Sequence, residues 1–137
     1  FAKTIHKLCK ERESLNVVFD QIGTPTYALD LAEVILRIVN SKTKYFGLYH
    51  YSNQGVASWY DFASAIFEYS KMKTRVNPIR TEKYPTPAKR PYFSVLDKNK
   101  IKESLNIKIP HWRDSLRNCL KKLFGSCHPP SKKNSWL

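Results

Sequence analysis

Only four glycines occur in the 137 residues, at positions 23, 47, 55 and 125. None belongs to a glycine-rich phosphate loop, so neither a P-loop nor a dinucleotide fingerprint is written in this chain. Cysteine is nearly as sparse. Cys9, Cys119 and Cys127 have no metal-like spacing, and His6, His50, His111 and His128 do not cluster with them. An odd number of cysteines without a framework points to a reducing, cytoplasmic setting rather than a secreted disulfide scaffold. No apolar run reaches the length of a membrane span, and no signal peptide is visible. No nucleophile–base constellation and no paired-carboxylate motif stands out either.

Acidic side chains are also few: 11 against 24 Lys and Arg, for a formal net charge of +13. The imbalance lies in one half. Residues 1–70 carry seven bases and seven acids, so the whole excess falls in 71–137. Such asymmetry suits a polyanionic partner, either nucleic acid or a phosphate-bearing small molecule. A solvated basic surface that aids solubility is the plainer alternative.

What is present is the composition of a globular domain: 42% hydrophobic and 13% aromatic residues, enough to build one core. The chain starts with Phe1 inside an apparent helix, which reads as a cut. Phe1 to Arg12 places Ile5, Leu8 and Cys9 on one helical face, and Leu15 to Phe19 is strand-like. A turn follows at Asp20–Thr26, where Gly23 admits positive φ and Pro25 restricts Thr24. Thr26 stands where an N-cap belongs, and Asp30 lies in the first turn of the next helix. Leu31, Val34, Ile35 and Ile38 recur at helical spacing and predict a buried face. This strand–turn–helix corner is either a well-capped structural element or a place where polar groups meet an anionic ligand.

Further along, Phe46 to Tyr51 alternates like a strand, and Ser52–Gly55 turns out of it. Ser58 caps a helix from Trp59 to about Tyr69, with Phe62, Ala65, Ile66 and Tyr69 inward. Val76–Ile79 reads as an edge segment because of Pro78. Residues 83–91 hold three prolines and form an extended loop that carries Lys89 and Arg90. A short helix from Asp97 or Lys98 through Glu103 precedes the last, Trp112–Phe124, which faces Leu116, Leu120 and Leu123 inward. Residues 125–137 have no periodicity and read as a tail. Helices alternating with two or three short strands argue α/β or α+β, with too few strands for a free-standing sheet.

Two local patterns carry possible chemistry. Tyr69 and Lys73 have the Tyr-x-x-x-Lys spacing of short-chain dehydrogenases, but Tyr69 sits on the apolar face, where core packing is the stronger reading. Lys89 and Arg90 sit in a proline-restricted loop, so a guanidinium there loses little entropy on gripping a diphosphate. Solvated surface charge is the alternative. Trp59 and Trp112 could stack on a base or sugar, yet their positions at helix starts favour the core.

Four ordered blocks carry a resemblance. Asp20–Thr26 with Asp30-Leu31-Ala32, HYSNQGVASWYDFA at 50–63, YPTPAKRPYFSVLD at 84–97 and IPHWRDSL at 109–116 resemble the dTDP-4-dehydrorhamnose reductases, extended short-chain dehydrogenase/reductases. The likeness covers 1–124 and leaves 125–137 outside the family pattern. It implies the α/β substrate-binding part of such an enzyme, with the N-terminal Rossmann domain largely absent. That missing domain would bind NADPH and supply the catalytic Tyr and Lys, so the chain alone is expected to be inactive. By the same resemblance Arg90 is the first candidate for a substrate contact on the diphosphate, with Lys89 weaker. Gln21, Thr24 and Thr26 are candidates for lining the dTDP-sugar cleft. Some members use magnesium at a subunit contact, for which this sequence shows no site. Surface meant for the missing domain would leave an apolar patch that invites homo-oligomers. The rival readings are a non-catalytic relative, such as the regulatory subunit of methionine adenosyltransferase, and a basic nucleic-acid-binding module.

Overall fold

The computed structural model describes residues 1–125, and most of the expected tail, with Cys127 and His128, lies outside them. Helix α1 (Ala2–Glu11) leads into strand β1 (Ser14–Val18), which pairs in parallel with β4 (Arg75–Ile79). The register sets Leu15 opposite Val76 and Val17 opposite Pro78. Pro78 is tolerated because the two-stranded sheet leaves β4 with an open edge.

Helices α3 (Trp59–Ser70) and α5 (Trp112–Phe124) complete the main core. There Ile5, Leu15 and Val17 meet Ala65, Ile66, Tyr69, Trp112, Leu116 and Leu120. The sequence periodicity of α3 and α5 is met in these contacts, except that Leu123 is 39% exposed near the end of α5. Ser58 caps α3 in a reciprocal box: its Oγ accepts from Asp61 N at 3.0 Å, and the Asp61 carboxylate accepts from Ser58 N at 2.9 Å. Tyr69 is buried in the core with the Arg117 guanidinium over its ring, so the Tyr-x-x-x-Lys spacing is structural.

A second, smaller ribbon joins β2 (Ile22–Gly23) to β3 (Ala57–Ser58) in antiparallel fashion. Residues 92–94 add to it: Ile22 N donates to Tyr92 O and Ser94 N to Ile22 O, each at 2.8 Å. Gly23 does not use the left-handed region. It is small because a Cβ there would stand 2.9 Å from Ser94 Oγ.

Helix α2 (Ala28–Val39) departs from expectation in two ways. Its N-cap is Tyr27, and Thr26 instead donates its hydroxyl to Thr24 O at 3.2 Å. The entrance is held by a residue distant in sequence: Tyr27 N donates to Asn53 Oδ1 at 2.7 Å. Nor is any residue of α2 buried, and the predicted inner face leaves Leu31 37% and Ile35 49% exposed. The amphipathic pattern is real, but the described residues cover it only in part, with Val34 and Ile38 half-buried. Ile35→Lys is therefore expected to shift the stability of this chain by less than about 0.5 kcal/mol in urea unfolding, where a core site would lose ~3 kcal/mol.

The segment 46–51, expected as a strand, forms no ladder among the described residues, and Phe46 and Leu48 stand exposed. Its alternation has no partner edge to act on. Helix α4 (Asn99–Leu105) starts one or two residues later than expected, after Asp97 Oδ1 accepts from Asn99 N at 2.9 Å, and runs two residues past Glu103.

Candidate functional site

The small ribbon builds a cleft. The 21–25 turn, β3, the first residue of α3 and the 90–94 segment surround a cavity of about 230 Å³. Its wall is fixed from behind by the Asp20–Gln21 pair. Asp20 accepts from Thr81 N at 3.0 Å and Thr81 Oγ1 at 2.7 Å, while Gln21 Nε2 donates to Thr81 Oγ1 at 3.1 Å. The Thr81 hydroxyl bond, with help from the Arg80 charge, holds the Asp20 carboxyl below the usual carboxylate range.

Of the five residues expected from the sequence, three come together here. Gln21, Thr24 and Arg90 line the cavity. Thr24 Oγ1 donates to Gly55 O at 3.0 Å, which ties the turn to the loop before β3. Arg90 is exposed at the rim and forms no ion pair among the described residues. Lys89 and Thr26 are exposed and do not line the cleft. Thr26 is turned back onto its own turn by its bond to Thr24 O.

Among the lining residues that sequence reasoning did not assign to the cleft are Ser58, Trp59 and Ser94. Trp59, assigned above to the core, is 38% exposed, whereas Trp112 is 4% exposed and does belong to the core. An apolar residue at a helix start has the same local signature in either place. Ser58 was legible as a cap, and the cap position is what brings it to the cleft.

A buried polar hub supports the cleft from the far side of the turn. Asn53 is fully buried, and its Nδ2 reaches Asp30 Oδ2 at 2.6 Å, Ser115 Oγ at 2.9 Å and Pro110 O at 3.2 Å. Ser115 Oγ in turn donates to Asp30 Oδ2 at 2.5 Å. Lys98, also buried, donates to Asn53 O at 3.1 Å and Ser52 Oγ at 3.2 Å. Burial and the nearby Lys102 push its ammonium below the usual lysine value. Beside the hub lies a second recess of about 300 Å³ whose wall includes Tyr51. Burial, with Asp30 and Glu33 alongside, pushes the Tyr51 phenol up to about 12, so it stays protonated at neutral pH.

Among the described residues no group of three or more His, Cys, Asp or Glu could hold a metal ion, and no helix is long and apolar enough to cross a membrane.

The family model for the RmlD substrate binding domain matches residues 1–124. The chain belongs to this family. It is 41% identical over 127 residues to the spore coat polysaccharide biosynthesis protein SpsK of Bacillus subtilis (strain 168), covering 93% of this chain and 44% of that one. It is 37% identical over 133 residues to the dTDP-4-dehydrorhamnose reductase of Escherichia coli (strain K12), covering 90% and 44%. Among solved structures, the NADP complex of dTDP-4-dehydrorhamnose reductase from Bacillus anthracis str. Ames superposes with a TM-score of 0.82 at 38% identity, over 89% of this chain and 42% of that one. The Clostridium acetobutylicum orthologue gives 0.84 at 39% identity, over 90% and 43%. The chain thus spans under half the length of these relatives. Within the substrate binding domain family, the α/β architecture expected from the alternating helices and strands is the one these structures share.

Proposed function

We propose that this chain is the nucleotide-sugar-binding part of a dTDP-4-dehydrorhamnose reductase, an oxidoreductase that reduces the 4-keto group of dTDP-4-dehydro-L-rhamnose with NADPH to give dTDP-L-rhamnose. The observation that carries the reading is the cleft. It gathers the Gln21–Pro25 turn and the proline-flanked Arg90 around one cavity, with a guanidinium that forms no ion pair among the described residues at the rim where a diphosphate would lie.

The nicotinamide cofactor does not fit these residues. Four scattered glycines offer no cradle for a pyrophosphate, and Tyr69 lies in the core rather than at the cleft. Binding it would fall to the rest of a longer polypeptide, and the chain alone would bind sugar nucleotide without turnover. The exposed apolar residues of α2 support this, since Ile35, Leu36 and Val39 form a face that suits a packing partner. Without that partner the same face would favour self-association. The free thiols of Cys9 and Cys119 accord with the cytoplasm as the place of work.

Calorimetric titration with dTDP and, separately, with NADPH tests the reading. Binding of dTDP without binding of NADPH is the expected result, and reduction of the sugar by this chain with NADPH would overturn it. Arg90→Ala is expected to weaken dTDP about tenfold and to flatten its salt dependence, while Lys89→Ala changes affinity less than about threefold. An unchanged dissociation constant for Arg90→Ala removes the phosphate role.

A further inference from the structure

The second recess, of about 300 Å³, shares no lining residue with the cleft. One side of it is a single face of α2, where Asp30, Glu33, Val34 and Arg37 recur at helical spacing. Tyr51 and the 107–110 segment close the other side.

Its charges are of both signs, and the protein leaves them largely unmatched. Glu33 and Arg37 stand one turn apart in the order that favours an ion pair. Yet neither they nor Lys108 form one among the described residues. Asp30 bonds the hub through Oδ2, and its Oδ1 takes no hydrogen bond among the described residues. The Tyr51 phenol stays protonated beside Asp30 and Glu33 and has no hydrogen-bond partner among the described residues either.

Two carboxylates and two cations in one small recess cancel. A ligand with a single charge is drawn by one pair and opposed by the other, whereas a zwitterion gains from both. A primary ammonium carries three N–H donors, and the recess offers three acceptor groups in Asp30, Glu33 and Tyr51. Arg37 and Lys108 supply donors for a carboxylate. Val34 and Ile109 add apolar wall. The volume lies at the lower end of the range for small-molecule sites, which suits a ligand smaller than a nucleotide.

We propose that this recess binds a free α-amino acid with an aliphatic side chain. The ammonium lies against Asp30, Glu33 and Tyr51, the carboxylate against Arg37 and Lys108, and the side chain over Val34 and Ile109.

Chemical-shift titration of the isotope-labelled protein with L-leucine, isoamylamine and isocaproate tests the assignment. Both analogues keep the aliphatic chain of leucine; the amine lacks its carboxylate and the acid lacks its ammonium. The expected result is saturable shifts around Glu33 and Tyr51 with leucine, and binding of either analogue weaker by about tenfold or more. Glu33→Gln and Arg37→Gln, both at exposed positions, should each weaken leucine about tenfold with thermal melting unchanged. Arg90→Ala, in the separate cleft, should leave leucine binding as it is. Absence of saturable shifts with leucine would overturn the proposal. So would analogues that bind as tightly as leucine, or leucine affinity unchanged in both α2 variants. None of these outcomes touches the nucleotide-sugar reading, which rests on other residues.

Discussion

Asn53→Ala is expected to cost about 3–5 kcal/mol of folding free energy, a loss comparable with the whole stability of a modest domain. The size follows from what the side chain satisfies. At 0% exposure it accepts the Tyr27 amide, and it bonds the Asp30 carboxylate and Ser115 Oγ in the same polar hub. Truncation leaves the half-buried Asp30 carboxylate short of a donor and the Tyr27 N–H without this acceptor. Ser115→Ala removes one hydroxyl from the same hub and should cost nearer 1–2 kcal/mol. Because the two residues share Asp30, the double variant should be non-additive by about 1 kcal/mol in urea unfolding. Additive behaviour, or a loss under about 1 kcal/mol for Asn53→Ala, would show that the hub is not a cooperative unit.

The same residue marks how far local pattern reaches. Helices α3 and α5 were legible because their signals are self-contained: Ser58 and Asp61 close a capping box within four residues, and the apolar rows of α3 and α5 meet each other. The entrance of α2 was not, because its acceptor comes from Asn53, 26 residues along the chain, and a lone asparagine in a loop has no periodicity to announce it. The face of α2 was read correctly as apolar and wrongly as buried, since a moment reports which side seeks cover and not whether cover is within reach. Arg90, put forward by the family resemblance and only allowed by its proline-restricted loop, does line the cleft, whereas Trp59 was assigned to the core on a pattern that an exposed residue at a helix start satisfies equally well. Thr26 failed for a local reason: its hydroxyl had a nearer acceptor in Thr24 O than the helix amides could match.

Gly55→Ala should be the second most damaging substitution, at about 2–4 kcal/mol. Two costs combine. Gly55 sits at φ +89°, a conformation that an L side chain enters with strain. A Cβ there would also run into the His111 imidazole and come within 2.8 Å of Trp112 Cδ1. The backbone cannot retreat, because Gln54 N donates to Pro110 O at 2.8 Å and Trp112 N to Gln54 O at 2.9 Å, which clamps the loop to the start of α5. Trp112 is 4% exposed and has no room to give. His111 can give only by surrendering its bond from Arg113 N at 3.2 Å, which caps α5. Removing the imidazole should therefore rescue part of the loss: Gly55→Ala with His111→Ala is expected to be less destabilised than the sum of the single variants by about 1 kcal/mol. The cleft supplies an independent reading of the same displacement. Gly55 O accepts the Thr24 hydroxyl, so a shifted loop frees that proton and moves the turn, and dTDP-sugar affinity should fall in Gly55→Ala even under conditions where the variant is fully folded. Full stability with full affinity would show that the loop has slack that the Gln54 and Trp112 bonds do not suggest.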